Sequence, residues 1–554
     1  MVAPRRADGH LGLSFGQAPG IFPPLAHLPT MLIEHWFRYV CPMWSAFDSD
    51  INFNRQLARS TWTVSGAVFY AMQAMSAACL VDSMPALIGT LPTLRTQATT
   101  AIKQIIADQG SISLAPKITA DLVFAVFALG TSSSWGSPAP MELPWLQVAR
   151  KLLPAWEVGR SQRDGALRAY FCQALTYWEM LLTISGLGSM PDKITMRQQR
   201  HQNRLRQALF LPDGPSDVAV EGPIMFDPRH NVLGTRPNSR CGVSNEVIDT
   251  FGQILALCRS ARRQQQAQRN HDLTMVGTTI ALCDIAVAHE LQRELLALDF
   301  GTLVSIEEAQ GFHVQTQDDK TPIFHLVLTA EAYRQAGLLQ LHLTFVDLPK
   351  MPFNGHYDID PNESLFKSKA VGCVVDEPSR DEFLHALSLH LLATLDRIPV
   401  ESGSSSMHSV LYLSAAAGLK FDTSSGPQDG AQTTSASAAD SLFEQSATND
   451  PFGLSMDLGS FDDILLPQTH PDCIFDYPAE SASTDPHPSW TIARARQFVL
   501  TRLSGLQQSV PQRARDGTLQ LVNALWVEYD AALPGCPSVH WLDLVATGAR
   551  TVLW

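Results

Sequence analysis

Asp358-Ile359-Asp360 sets two carboxylates one residue apart, a spacing with which some sugar transferases hold a divalent metal. So short a motif arises by chance in most chains of this length. No strand-rich nucleotide-binding pattern surrounds it, so a solvated loop is expected there. His385 and His390 stand five residues apart and do not share the one-turn face that a helical pair of metal ligands needs; a half-buried and a surface histidine are expected. His470 with Asp472-Cys473 supplies three ligand types, but in surroundings too polar to fix their geometry. The nine cysteines are scattered, and even the closest pair, Cys241 and Cys258, is far from the spacing of a zinc site. They read as reduced intracellular thiols, mostly filling core. There is no G-x-S-x-G, no Gly-rich phosphate loop and no H-E-x-x-H, so no catalytic constellation emerges and an enzyme is not expected. Arg262-Arg263 with Arg269, and the Gln-rich basic run from Arg197 to Arg206, read as solvated helix faces or loops rather than nucleic-acid patches.

The elements that must position these residues are helical. Apolar periodicity predicts a helix over 29–40, with Thr30 as N-cap and Leu32, Trp36, Tyr39 and Val40 on one face. Further helices are predicted over 61–81, 94–107 and 121–129. The segment 165–186 is the clearest amphipathic helix, through Tyr170, Ala174, Leu175, Trp178, Leu181 and Leu182. Others follow at 245–268, 274–298, 330–345, 381–398, 491–506 and 519–529. No useful stretch alternates with period two, so the fold class is all-α. Residues 60–81 are uncharged and long enough to span a membrane. Their Ala and Ser content, with Gln73, fits a core helix better, and no membrane contact is expected. Arg5 and Arg6 precede Gly/Pro-interrupted sequence rather than an apolar run, so no signal peptide is read.

The strongest compositional feature lies at 421–493, which has no lysine or arginine and twelve acidic residues. The chain's net charge is −14, so only −2 remains for everything else and no basic face is offered to nucleic acid. Apolar clusters sit among the acids: Leu458, Phe461, Asp462, Asp463, Ile464 and Leu465 form one, and Phe475 anchors another. In a Ser/Thr/Pro/Gly background this is the composition of a disordered acidic activation segment. Those seven residues are the candidate contacts for coactivator proteins, in the manner of a short helix entering an apolar groove.

Several segments, in order, resemble the fungal-specific regulatory domain that accompanies zinc binuclear cluster transcription factors. They are Leu32 to Pro42 followed by Asn52-Phe53-Asn54-Arg55; the Ala-rich Ala67 to Ala78; Ala174 to Leu182; Arg240-Cys241-Gly242-Val243-Ser244; Glu331 to Leu341; and the closing Ala524-Leu525-Trp526 with His540 to Asp543. The resemblance implies a large multi-helix regulatory domain, a nuclear location, and regulation of RNA polymerase II genes. Trp178, Tyr333 and Trp541 are then core residues that pin helices together. The organisation expected is an irregular 1–29, a first domain part at 30–420, a disordered acidic insertion at 421–490, and closing helices of the same domain at 491–554. Because the closing helices follow the acidic stretch, residues 415–420 and 491–498 should lie side by side. No cysteine precedes Cys41, so no cofactor is expected in this chain; zinc enters only if a cluster domain is missing upstream. The expected partners are coactivators or a DNA-binding protein, with a homodimer or heterodimer open. A metabolite-sensing helical domain is the alternative reading.

Overall fold

The computed structural model describes residues 27–112, 118–136, 143–156, 162–186, 190–210, 237–268, 275–309, 315–350, 379–421, 491–532 and 539–547. Among them there is no strand, only an isolated bridge between Asn238 and Gly242. The described residues before Phe421 and after Thr491 belong to one compact unit.

The chain enters through α1 (Leu28–His35), which continues through a π turn (Trp36–Val40) into the short α2 (Cys41–Met43). Leu32, Trp36 and Val40 are buried as expected. Tyr39 is instead 53% exposed, because the π turn shifts the register of the face; Thr30 lies inside the helix, whose N-cap is His27. The helix predicted over 61–81 is α4 (Gly66–Leu80), which starts later because a turn occupies 62–64; α3 (Phe53–Thr61), just before that turn, was not predicted. Asn52 begins α3 by accepting a hydrogen bond from the Asn54 amide at 2.9 Å.

Small side chains explain α4. Ala67, Ala71, Ala74 and Ala77 let α1, α5 (Thr90–Ile112) and α6 (Ala120–Thr131) approach, and Ser76 Oγ donates to Leu32 O at 2.7 Å. The long uncharged stretch is thus surrounded by protein, and no described helix is long and apolar enough to cross a membrane. α7 (Leu143–Ala155) and α8 (Gln162–Ile184) close this core, where Phe127 meets Phe171 and Trp178 at 5.0 and 5.5 Å between ring centroids. The amphipathic character expected of α8 belongs to its first half only, since Tyr177 through Ile184 are buried on every side.

A second group forms around α10 (Asn245–Gln268) and α13 (Ile323–Thr344), with α9 (Met190–Phe210), α11 (Met275–Leu296) and α12 (Phe300–Ala309) beside them. Nearly every α13 side chain from Leu328 to His342 is buried; Gly337 admits Leu295 and Ile254, and Tyr333 meets Phe251 edge-on at 5.3 Å. α14 (Arg380–Asp396) starts with a capping box between Ser379 and Glu382. The eight-residue α15 (Ser409–Ala416) is wholly buried. Around it close α16 (Ile492–Gly505) and α17 (Gln512–Ala531), and α18 (Trp541–Thr547) packs on α17 and α10. Trp526 Nε1 and Tyr529 Oη donate to Ala416 O and Ala417 O, both at 3.0 Å, and Trp541 Nε1 donates to Gln340 Oε1 at 2.8 Å.

Two basic clusters differ from expectation. Arg197, on α9, is not solvated but mostly buried, forking onto Glu294 at 2.7 and 3.0 Å and meeting Glu290 on α11. Arg262 likewise pairs with Asp543 of α18 at 2.7 Å. These arginines tie helices together. His385 and His390 are both half-buried, so neither is the surface histidine expected, because α14 packs against α13 and α15.

Between α9 and α11, Asp284 is 2% exposed and accepts from Gln198 Nε2 at 2.5 Å. Burial raises its carboxyl from 3.8 to about 6, only partly offset by Gln198. Its folded value exceeds the unfolded one, so its protonated form supports the fold below about pH 4 and that support is lost as pH rises through 6. Asp284→Asn keeps the contact without the charge. Its unfolding free energy at about pH 7.5 is expected to rise by on the order of 2 kcal/mol, with the gain shrinking at about pH 5. An equal change at both pH values contradicts this.

Candidate functional site

Four of the segments that carry the family resemblance, those around Asn52, Tyr177, Arg240 and Tyr333, meet at one polar seam. At its centre is the turn after α2. Asn52 Nδ2 donates to Ser45 Oγ at 3.0 Å and to Phe47 O at 3.3 Å, while its Oδ1 accepts from Ser239 Oγ at 2.9 Å. Arg55 reaches back from α3 to fork onto Asp48, with Nε at 2.7 Å from Oδ1, and to Phe37 O at 2.8 Å. Three remote loops clamp the same turn. Ala46 N donates to Ser239 O at 2.7 Å, Asp48 N to Asp318 Oδ2 at 3.0 Å, and Ser406 Oγ donates to Ser45 O at 3.1 Å. Gly403 eases this close approach, because a Cβ there would sit 3.0 Å from Ala46 O, tighter than ordinary contact.

The loop at 237–244 is held by Asn238. Its Oδ1 accepts from the amides of Arg240 and Cys241 at 2.7 and 3.3 Å, and its Nδ2 donates to Gln173 Oε1 at 2.6 Å. Gly242 follows at φ +79°, the left-handed conformation that lets the chain turn into α10. This arrangement directs Arg240 into the seam. Its guanidinium carbon lies 5.0 Å from the Tyr177 ring centroid and 5.6 Å from that of Trp44, and Nη1 donates to Trp44 O at 2.9 Å. Tyr333 Oη crosses beneath to donate to Met407 O at 2.9 Å. Burial holds the Arg240 guanidinium below its ordinary value and pushes the Tyr170 and Tyr177 phenols up. The seam thus joins α3, α8, the 237–244 loop and α13, and the chemistry it offers is hydrogen-bond and charge donation, with no nucleophile–base pair.

None of the residues singled out in sequence as a candidate site is among those described at the seam. Leu458, Phe461, Asp462, Asp463, Ile464, Leu465 and Phe475 fall outside the described residues, as do Asp358, Asp360, His470, Asp472 and Cys473. His385 and His390 share α14, and among the described residues no three His, Cys, Asp or Glu side chains form a metal-holding group. The described cysteines therefore do not fit a zinc cluster; Cys41, Cys241, Cys258 and Cys283 are buried and Cys172 is exposed. Arg240 was legible only as part of a motif. Nothing in its spacing signals that Trp44 and Tyr177 flank it.

Both flanks of the acidic stretch are anchored at one point. Arg496 Nε donates to Leu419 O at 3.0 Å, its guanidinium forks onto Asp530 at 2.7 and 2.9 Å, and it stacks on Phe421 at 4.3 Å and Trp526 at 5.0 Å. Residues 415–420 and 491–498 are neighbours.

The described residues form an all-α, multi-helix unit. The family model described as "Fungal specific transcription factor domain" matches residues 31–424, and the chain belongs to that family. Its general role is the regulation of transcription. The match begins within α1 and stops just beyond Phe421, short of α16–α18. No curated protein and no solved structure matches the chain.

Proposed function

We propose that this protein is a fungal nuclear regulator of RNA polymerase II genes that works through other proteins, with the acidic segment 421–490 as its contact for coactivators. It is a regulator and not an enzyme. The observation that carries this reading is the family match, joined to a segment of twelve acids with no lysine or arginine that interrupts the helical unit. Leu458, Phe461, Ile464, Leu465 and Phe475 enter an apolar groove on the partner, and acids such as Asp462 and Asp463 steer the segment toward basic surfaces. Arg496 supports the picture of a tethered loop, because it fastens the chain just before the segment to the chain just after it. DNA is reached through a zinc cluster carried upstream or by a DNA-binding partner, as homodimer or heterodimer, since the charge outside the segment gives no basic face of its own.

Fusing 421–493 to a heterologous DNA-binding domain tests this. Reporter activation is expected, with a loss of tenfold or so when Phe461, Ile464 and Leu465 become alanine, the effect of removing about 1.4 kcal/mol of partner binding. An inactive fusion, or one indifferent to the triple substitution, contradicts the proposal.

A further inference from the structure

The segment 399–408 leads from α14 into α15 through a 3-10 turn at Gly403–Met407, and it clamps the seam with neutral hydrogen bonds. Gly403 N donates to Thr321 Oγ1 at 2.8 Å and Ser406 Oγ to Ser45 O at 3.1 Å, while Met407 O accepts from Tyr333 Oη at 2.9 Å. Ser402 Oγ meets His325 Nδ1 at 3.1 Å and Ser404 Oγ at 3.0 Å. Only two side chains of the segment can titrate. Glu401 is exposed, whereas His408 is 2% exposed.

The hydrogen bonds fix the protonation state of His408. Thr329 Oγ1 lies 2.8 Å from His325 O, which can only accept, so its single proton is committed there. Its contact with His408 Nε2 at 3.1 Å is then a donation by the ring, and the imidazole is neutral with its proton on Nε2. A second proton, on Nδ1, would make a buried cation, and no described carboxylate pairs with the ring to answer it. The ionisable groups that face it are His325 on α13, Arg502 on α16 and Tyr412 on α15, whose ring stands edge-on at 6.2 Å. Asp396 of α14 is taken up by Arg502 at 2.7 Å, and Asp318 acts on His325 instead. Burial, with the Arg502 charge behind it, pushes the His408 imidazole down to about 3.

We propose that His408 is an acid-released latch: neutral, it fastens the 399–408 segment across the seam, and proton uptake frees that segment while the surrounding helices stay folded. The direction follows from linkage. The folded value lies below the unfolded one, so the support from His408 is full above about pH 6.5 and is lost as pH falls below it. Between pH 7.5 and pH 5.0 the opening equilibrium of the segment grows about thirtyfold, opposite in sign to the effect of Asp284. Release loosens the contacts to Ser45, Thr321 and Tyr333, so the seam responds to acidification. The assignment stands apart from the transcriptional reading, since it concerns the folded unit alone.

The test is hydrogen exchange read by mass spectrometry on the full chain at pH 7.5 and 5.0, corrected for the intrinsic pH dependence of amide exchange. Peptides covering 399–408 are expected to lose about thirtyfold in protection at the lower pH, while those from α4 and α6 hold theirs. His408→Gln, which can still donate to Thr329 but cannot titrate, should abolish the difference between the two pH values. His325→Gln, at the half-buried neighbour, should keep it; its loss there assigns the response to His325 and overturns the proposal. If His408→Gln fails to fold, the unaltered protein and His325→Gln carry the decision. Unchanged protection of 399–408 overturns the latch, as does an undiminished acid response in His408→Gln or a loss shared equally by the α4 and α6 peptides.

Discussion

Trp541→Ala is expected to destabilise the protein by about 3–5 kcal/mol, read as a fall in the denaturation midpoint at an unchanged slope. The side chain is fully buried, and its removal opens a cavity where α18 meets α13. It also strips Gln340 Oε1, itself fully buried, of the indole donor 2.8 Å away. Trp541→Phe should fall between, keeping ring area but not the N–H. Val527→Ala, at a residue 66% exposed on α17, should change stability by no more than about 0.5 kcal/mol. The comparison decides whether the helices after the acidic segment complete the domain or merely follow it. A neutral Trp541→Ala contradicts completion.

The second large effect is expected at Gly130, near the end of α6. A Cβ there would stand 2.2 and 2.6 Å from Cη2 and Cζ2 of Trp178 and 2.9 Å from Cβ of Trp145. Trp178 is 1% exposed and packed on Phe127, so its ring has nowhere to retreat, and a Cβ fixed to a helix backbone moves only with its helix. Gly130→Ala should cost about 3 kcal/mol, the upper part of the overpacking range. Adding Trp178→Phe should restore part of that loss, because the pair is directly coupled. Strict additivity of the two substitutions contradicts the account of this contact.

The two positions show what was legible in the sequence. Trp178 was readable as core from its size and helical spacing, Trp541 only through the family resemblance, and both are buried. α10 matched its predicted bounds because Ser244 gives it a clear start, its Oγ accepting from Val247 N at 3.3 Å, and because its apolar face is regular. α9 did not stand out. Its arginines and glutamines looked like a solvated run, whereas long side chains such as Arg197 reach across to Glu290 and Glu294. α15 escaped because eight small and apolar residues, buried all round, carry no periodicity. The seam at Arg240 was illegible for a different reason. It is assembled by tertiary packing from Trp44, Asn52, Tyr170, Tyr177, Ser239 and Tyr333, and no local spacing encodes that meeting. The contribution of sequence was the motifs themselves; the fold brought them together.

The central claim is that one helical unit is closed across the acidic segment, leaving 422–490 to contact partners. It is tested most directly in the full chain joined to a heterologous DNA-binding domain, by replacing 422–490 with a short Gly/Ser linker and recording melting temperature and reporter output from the same protein. Leu419 and Phe421 already touch Arg496, so a linker of about ten residues has ample reach. The account predicts an unchanged melting temperature and the loss of most reporter activity. Reporter activity that survives the replacement, or a protein that no longer folds, would contradict it.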